Sequence, residues 1–249
     1  MIWAILAGNT RTVAALMKDL KVLRRKIVPT QNLKSIPAAI RWAKALRRSS
    51  PCEGIIVASV VPPLDPVLKK SLWSAFGQAP EFIGPGRNSG IPVRVKKPSQ
   101  VGADRLANAV AARELYGVPS IVVDYGTGTT FDVVDRKGTY RGGAILPGLG
   151  ISLRALHDFT AKIPLVKFEK VSYAVGRTTE EAVRSGIYHG AIGTTRELLQ
   201  RTRKQIGAKA PAIATGGWCW AFKGTGFFTA IEPDLTLQGM ALIWRKRHA

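Results

Sequence analysis

"VVDYGTGTTFDVVD" occupies residues 122–135. An apolar run ends on Asp124, a Gly-Thr-Gly turn comes next, and a second β-branched and aromatic run begins, so the stretch reads as strand, tight turn, strand. An earlier stretch, "AILAGNTRTVAAL" at 4–16, has the same plan, with a Gly-Asn-Thr turn and with Leu6 where the later one has Asp124. Each hairpin opens a three-strand meander. In the first half the strands are expected at 2–7, 12–17 and 21–28. In the second they are "SIVVDYG", "TTFDVVD" and "TYRGGAIL", with Asp135-Arg136-Lys137-Gly138 as the last hairpin turn.

The segments after the two meanders also correspond. Residues 35–48 place Ile36, Ala39, Ile40, Ala43 and Leu46 on one face of a helix. "GIIVASVVPP" at 54–63 is an uninterrupted apolar run of strand length, expected to be a buried central strand. "LDPVLKKSLWSAF" reads as a helix, "EFIG" as a strand, "PGRNSGIP" as a loop, and "VGADRLANAVAARELYG" as an Ala-rich helix ended at Gly117. After the second meander come helical stretches through "GISLRALHDFTAKI" and residues 178–207, a buried strand in "PAIATGG", and a closing helix in "DLTLQGMALIWRKR". The order implies a duplicated α/β unit with halves 1–117 and 118–249, and a ligand crevice between them.

Composition sets the bounds. With 249 residues, 46% hydrophobic and 21% charged, the chain falls in the folded globular class and outside the disordered and collagen-like ones. No apolar run reaches the roughly 18–20 residues of a membrane helix, and no basic segment precedes the short apolar start, so a cytoplasmic protein without membrane contact is expected. Cys52 and Cys219 stand alone without metal-ligand spacing and are expected to be buried small apolar residues. The net charge of +21 is unusual, and the excess clusters around Lys21–Lys26, Arg41–Arg48 and Arg245–Arg247. Such a surface attracts polyanions, although solvated helix faces explain it as well, and no zinc finger, RNP-type aromatic pattern or helix-turn-helix accompanies it.

The turns carry the chemistry. In "DYGTGTT" the glycines allow close backbone approach to a ligand, and N–H groups with the Thr127, Thr129 and Thr130 hydroxyls can donate to phosphate oxygens. Asp124 at the strand end can hold a cation beside them. Gly8, Asn9, Thr10 and Arg11 offer a second set of donors. A single such turn is an ordinary hairpin, but a pair at corresponding places in a repeat resembles the actin, hexokinase and Hsp70 superfamily, whose two subdomains close on ATP.

Further motifs narrow the resemblance. "GNTR" at 8–11, "SVVPPL" at 59–64, "GADR" at 102–105, "GGAILPGLGISLRAL" at 142–156, "GRTTEEAVRSGI" at 176–187, "TGG" at 215–217 and "DLTLQGMALI" at 234–243 run nearly end to end. In that order they resemble the type III pantothenate kinases. The resemblance implies an α/β duplicated actin-like (ribonuclease H-like) fold, two mixed-sheet subdomains flanking an ATP cleft. It also implies transfer of a phosphoryl group from ATP to pantothenate, the first step of coenzyme A biosynthesis. Asp104 then corresponds to the proton acceptor, with Gly102, Ala103 and Arg105 lining the pantothenate pocket. Thr179 corresponds to a further pantothenate contact, although it is equally placed to cap the helix it begins. Gly8, Asn9, Thr10, Arg11, Gly126 and Thr127 correspond to ATP contacts, and Asp124 to the ligand of a monovalent cation, potassium or ammonium. Magnesium accompanies the nucleotide, and a homodimer is implied. His157, His189 and His248 are expected to be structural or exposed.

Two positions depart from the family pattern. Leu6 stands where the first phosphate motif has an aspartate, and Val95 where a tyrosine contacts pantothenate. The readings left open are therefore a kinase that manages without the first carboxylate, a kinase acting on another small hydroxy acid, and a catalytically impaired paralogue acting as a binding or regulatory protein on nucleic acid. Asp19 and Asp132 are the acids nearest in the expected meanders that could replace the missing one.

Overall fold

Alternation along the first strand divides its side chains between two layers. In β1 (Ile2–Ala7) Trp3, Ile5 and Ala7 are buried on one face and Ile2 and Ala4 on the other. The computed structural model describes residues 1–50 and 52–249. β2 (Arg11–Lys18) pairs antiparallel with β1, from Ala7 opposite Thr12 to Ile2 opposite Met17, and β3 (Lys21–Pro29) pairs antiparallel with β2. β4 (Gly54–Ser59) then returns parallel to β1, and the two-residue β5 (Glu81–Phe82) lies parallel on β4.

The second half repeats the design strand for strand. β6 (Ser120–Tyr125), β7 (Gly128–Val134) and β8 (Tyr140–Pro147) form the meander, β9 (Ala212–Thr215) lies parallel to β6, and β10 (Ala230–Ile231) parallel to β9. The strand orders are β3-β2-β1-β4-β5 and β8-β7-β6-β9-β10.

Three apolar cores result. α1 (Ile36–Ser49) and α2 (Asp65–Phe76) cover the outer face of the first sheet, where Ala43, Leu46, Leu68 and Leu72 meet Trp3 and Ile5. α4 (Leu149–Asp158) and α5 (Thr179–Ile206) cover the outer face of the second, where Leu153, Tyr188 and Leu199 meet Tyr125 and Phe131. α3 (Ala103–Tyr116) and α6 (Leu235–Arg247) share one core with both sheets, joining Ala4, Met17 and Ile56 to Val122, Val134 and Ile213. The two sheets are thus joined through a common apolar layer, and α6 comes closest to α3 at Gly239, where a Cβ would lie 1.9 Å from the Ala107 carbonyl oxygen.

Some local expectations shift. The helix read through residue 163 ends at Asp158, and residues 159–178 form no regular element. "EFIG" contributes two strand residues rather than four because β5 is an edge strand with a single parallel neighbour. Ile36 is 37% exposed although it shares the apolar face of α1, since it lies in the first turn beyond the sheet. Cys219 is buried, but Cys52 is only half-buried beside the α1/α2 core.

Candidate active site

Both hairpin turns stand at the C-terminal ends of the central strands. In the first, the Gly8 N–H donates to the Arg11 carbonyl at 3.1 Å. In the second, the Gly126 N–H donates to the Gly128 carbonyl at 3.1 Å. Thr10 and Thr127 at the two tips bring their hydroxyl oxygens to 3.3 Å from each other. Asn9, Thr10, Arg11 and Thr127 are exposed, so the donors of both turns face one opening.

Three carboxylates are gathered beside the turns. Asp104 lies in the first turn of α3, where the helix dipole favours an acid, and accepts the Arg105 N–H at 2.7 Å. Gly102 precedes it as N-cap, and a Cβ there would sit 2.5 Å from Asp104 Oδ1, so the carboxylate occupies the space that only glycine leaves free. Burial raises the pKa of Asp104 above the usual range, opposed by the Arg105 N–H and guanidinium.

Asp124 ends β6 and accepts Asn108 Nδ2 at 3.1 Å. Asn108 is wholly buried on α3, and its Oδ1 accepts the Thr236 hydroxyl of α6 at 2.7 Å. Burial, and then the negative charge of Asp104, push Asp124 up to about 7. Gly216 has φ +87°, and a Cβ there would lie 2.3 Å from Asp124 Oδ1. The Gly-Gly after β9 therefore closes over the cation-binding candidate.

Asp132 on β7 is the third carboxylate and is wholly buried. Arg105 Nε donates to it at 2.7 Å, the Tyr140 hydroxyl at 2.9 Å and the Thr130 hydroxyl at 3.1 Å. Burial raises it to about 6, with the Arg105 charge opposing. Arg105 also donates through Nη2 to the Phe131 carbonyl at 3.3 Å, so most of its guanidinium is committed to an internal pair rather than held free for a substrate carboxylate.

The other expected residues divide. Ala103 is buried in the shared core, so its contact with the opening is through the backbone. Val95 is half-buried, with a side-chain methyl against Gly142 of β8, and the nearby Val93 bridges to Tyr140, so this segment flanks the Arg105–Asp132 pair. Thr179 is exposed in the first turn of α5 and makes no hydrogen bond to the cluster among the described residues. The helix cap is Thr178, whose Oγ1 accepts the Glu181 N–H at 3.2 Å, while Glu181 accepts the Arg177 N–H at 2.7 Å. Asp19 sits in the β2–β3 turn with φ +54°, at the end of the sheet opposite the Gly8–Arg11 turn, so only Asp132 of the two replacement acids joins the cluster. Leu6 packs against the shared core from the β1 face that corresponds to the Asp124 face of β6.

Sequence reasoning missed Asn108, Tyr140 and Gly216 as members of the site. Asn108 was detectable in principle, since it is a polar residue one turn after Asp104 on the buried face of an otherwise Ala- and Leu-rich helix.

The sequence profile of the type III pantothenate kinases matches residues 2–201. The chain belongs to this family. It is 42% identical over 196 residues to the type III pantothenate kinase of Dehalococcoides mccartyi strain 195, covering 78% of this chain and 76% of that one. To the type III pantothenate kinase of Listeria innocua it is 35% identical over 252 residues, covering 99% and 97%. Among solved structures, a conserved putative Baf family transcriptional activator from Campylobacter jejuni superposes with TM-score 0.65 at 14% identity, covering 99% of this chain and 98% of that one. A putative sugar kinase from Cytophaga hutchinsonii gives TM-score 0.56 at 12% identity over 98% and 99%. These likenesses show the duplicated actin-like α/β fold.

Proposed function

We propose that the protein transfers the γ-phosphoryl group of ATP to pantothenate, giving 4'-phosphopantothenate and ADP, the entry step of coenzyme A biosynthesis. The observation that carries this reading, beyond family membership, is the 3.3 Å approach of Thr10 to Thr127 beside the Asp104, Asp124 and Asp132 carboxylates. Two sets of backbone and hydroxyl donors there cradle one polyphosphate between the halves, for which we take the boundary at 117/118.

The primary hydroxyl of pantothenate attacks the γ-phosphorus, its proton passes to an Asp104 carboxylate oxygen, and the bond to the β,γ-bridging oxygen breaks to release ADP. Burial makes Asp104 a stronger base than a surface aspartate, and the Arg105 N–H keeps the accepting carboxylate oriented. Arg105, held by Asp132 and Tyr140, supplies positive charge beside Asp104 without having to reorganise. Gly8, Asn9, Thr10, Arg11, Gly126 and Thr127 bind and orient the phosphates.

Asp124 fits a potassium or ammonium ion, because its partly buried carboxylate is held by a single neutral donor and, among the described residues, forms no ion pair. Magnesium, when bound with ATP, neutralises phosphate charge, and the Leu6 position adds no ligand to it. Thr179 lies outside the protein's own cluster, which favours a homodimer in which the second copy completes the pantothenate pocket. No helix among the described residues is long and apolar enough to cross a membrane. The use of ATP suits a cytoplasmic enzyme.

The test is ADP release dependent on both ATP and pantothenate, with magnesium and potassium, in wild type and Asp104→Asn. Wild-type turnover that disappears in Asp104→Asn is the expected result. A silent wild type would overturn the proposal.

A further inference from the structure

Residues 20–52 carry nine lysines and arginines and no aspartate or glutamate, and the fold gathers most of this charge on one outer face. On α1, Arg41, Lys44 and Arg48 recur at three- and four-residue steps opposite the buried Ala39, Ala43 and Leu46, and all three are exposed. β3 is the edge strand beside this helix. Arg24 donates to the Ser49 carbonyl at 3.0 Å and Lys26 to the Ala45 carbonyl at 3.3 Å, which fixes two more cations along its flank.

α2 packs against α1 and continues the layer with exposed Lys69 and Lys70. Asp65 is the only carboxylate on either helix. Among the described residues, none of these cations forms a salt bridge. Like charges at i, i+3 and i, i+4 destabilise the helix that carries them, so the stripe has no intramolecular benefit. The α1 C-terminal dipole accounts for Arg47 and Arg48 but not for Arg41 or Lys44.

An apolar feature lies within this charge. Trp73 on α2 is 61% exposed, one turn beyond Lys69 and Lys70 and opposite the buried Leu68, Ser71 and Leu72. A protruding indole flanked by ammonium groups is how proteins hold an unpaired base between phosphate contacts.

We propose that the α1/α2 face binds single-stranded nucleic acid, with Arg41, Lys44, Arg48, Lys69 and Lys70 on phosphates and Trp73 stacked on a base. Among the described residues none of these side chains hydrogen-bonds to residues 8–11 or 126–127, so this activity is separate from the kinase reading and stands or falls without it. A duplex hides its base faces in the stack and leaves Trp73 without a partner, and a lipid surface offers no base at all.

The test is fluorescence anisotropy of a labelled oligodeoxythymidylate with the full chain, titrated between about 50 and 200 mM salt. Wild type should bind with an affinity that falls steeply with salt. Arg41→Glu/Lys44→Glu/Arg48→Glu should weaken binding at least tenfold and reduce the slope of log affinity against log salt by about 2, for three phosphate contacts on a single strand. The milder Arg41→Gln/Lys44→Gln/Arg48→Gln should lie between, which guards against a misfolded triple reversal. Trp73→Ala should lose more than about fivefold, the lower end of what one stacked base contributes, with the salt slope unchanged. Pantothenate-dependent ADP release should be unaltered in every variant. Equal binding by wild type and the charge variants overturns the proposal. So does Trp73→Ala binding as wild type does, or wild type preferring anionic phospholipid vesicles to the oligonucleotide, which would make the face a membrane contact.

Discussion

Thr10 and Thr127 are 117 residues apart in the chain, yet their hydroxyl oxygens are 3.3 Å apart in the fold. Each belongs to a hairpin tip at the end of a central strand, and the pseudo-symmetric sheets aim both tips at one opening. Replacing either threonine with alanine removes a proposed phosphate donor. Thr10→Ala and Thr127→Ala should each raise KM for ATP, with KM for pantothenate nearly unchanged, as steady-state kinetics will show.

Asp104→Asn removes the proposed proton acceptor while keeping size and the bond from the Arg105 N–H. The loss in kcat should fall in the range of about 10²–10⁴ that general base catalysis supplies. ATP binding, followed by equilibrium titration, should be retained.

Leu6→Asp places a carboxylate on the β1 face that corresponds to the Asp124 face of β6. It should steepen the magnesium dependence of turnover and raise kcat/KM for ATP. Loss of an apolar side chain from the shared core should lower stability by up to about 3 kcal/mol, read by urea unfolding. Unaltered magnesium dependence would mean that the existing carboxylates already suffice.

The pH dependence of stability has a definite sign. Asp124 and Asp132 titrate near 7 and near 6 in the native state against an ordinary value of 3.8, so between about pH 4 and 7 the native chain holds protons that the unfolded chain has released. Stability from these groups is full below pH 4 and is lost as pH rises through 6 and 7. Thermal unfolding of ligand-free protein should show a smaller difference between pH 5 and pH 8 in Asp124→Asn than in wild type. Potassium should raise Tm at pH 8 more than at pH 5, and not at all in Asp124→Asn.

Asp132 compensates a guanidinium that is itself only 14% exposed. Asp132→Asn keeps the size of the side chain but leaves Arg105, Tyr140 and Thr130 one acceptor oxygen in place of two, which loosens Arg105 and costs about 1 kcal/mol for each hydrogen bond lost. Tyr140→Phe removes one donor from the same carboxylate and should cost less. Both should raise KM for pantothenate more than KM for ATP, because the displaced group is Arg105.

At the start of α5, Thr178→Ala should cost about 1 kcal/mol through the lost cap. Thr179→Ala should leave unfolding unchanged and raise KM for pantothenate, which separates the two neighbouring threonines by readout.

Much of this molecule is legible in its sequence. The strand and helix order, the duplication, both hairpin turns and the placement of Asp104 in a helix's first turn come from periodicities and turn residues spanning a few positions, and such short-range preferences act wherever the chain goes. Only tertiary structure decided what meets across long separations. Arg105, readable as a free pantothenate ligand, is drawn into a pair with Asp132 because a buried carboxylate on β7 needs a cation and α3 packs against that strand. Asn108 is turned toward Asp124 because its side chain, buried between α3 and α6, finds its donor and acceptor partners there. Most of the basic run of residues 20–52 becomes one face because β3 and α1 lie side by side at the sheet edge, while Arg25 on the other side of β3 pairs with Asp234 at the start of α6.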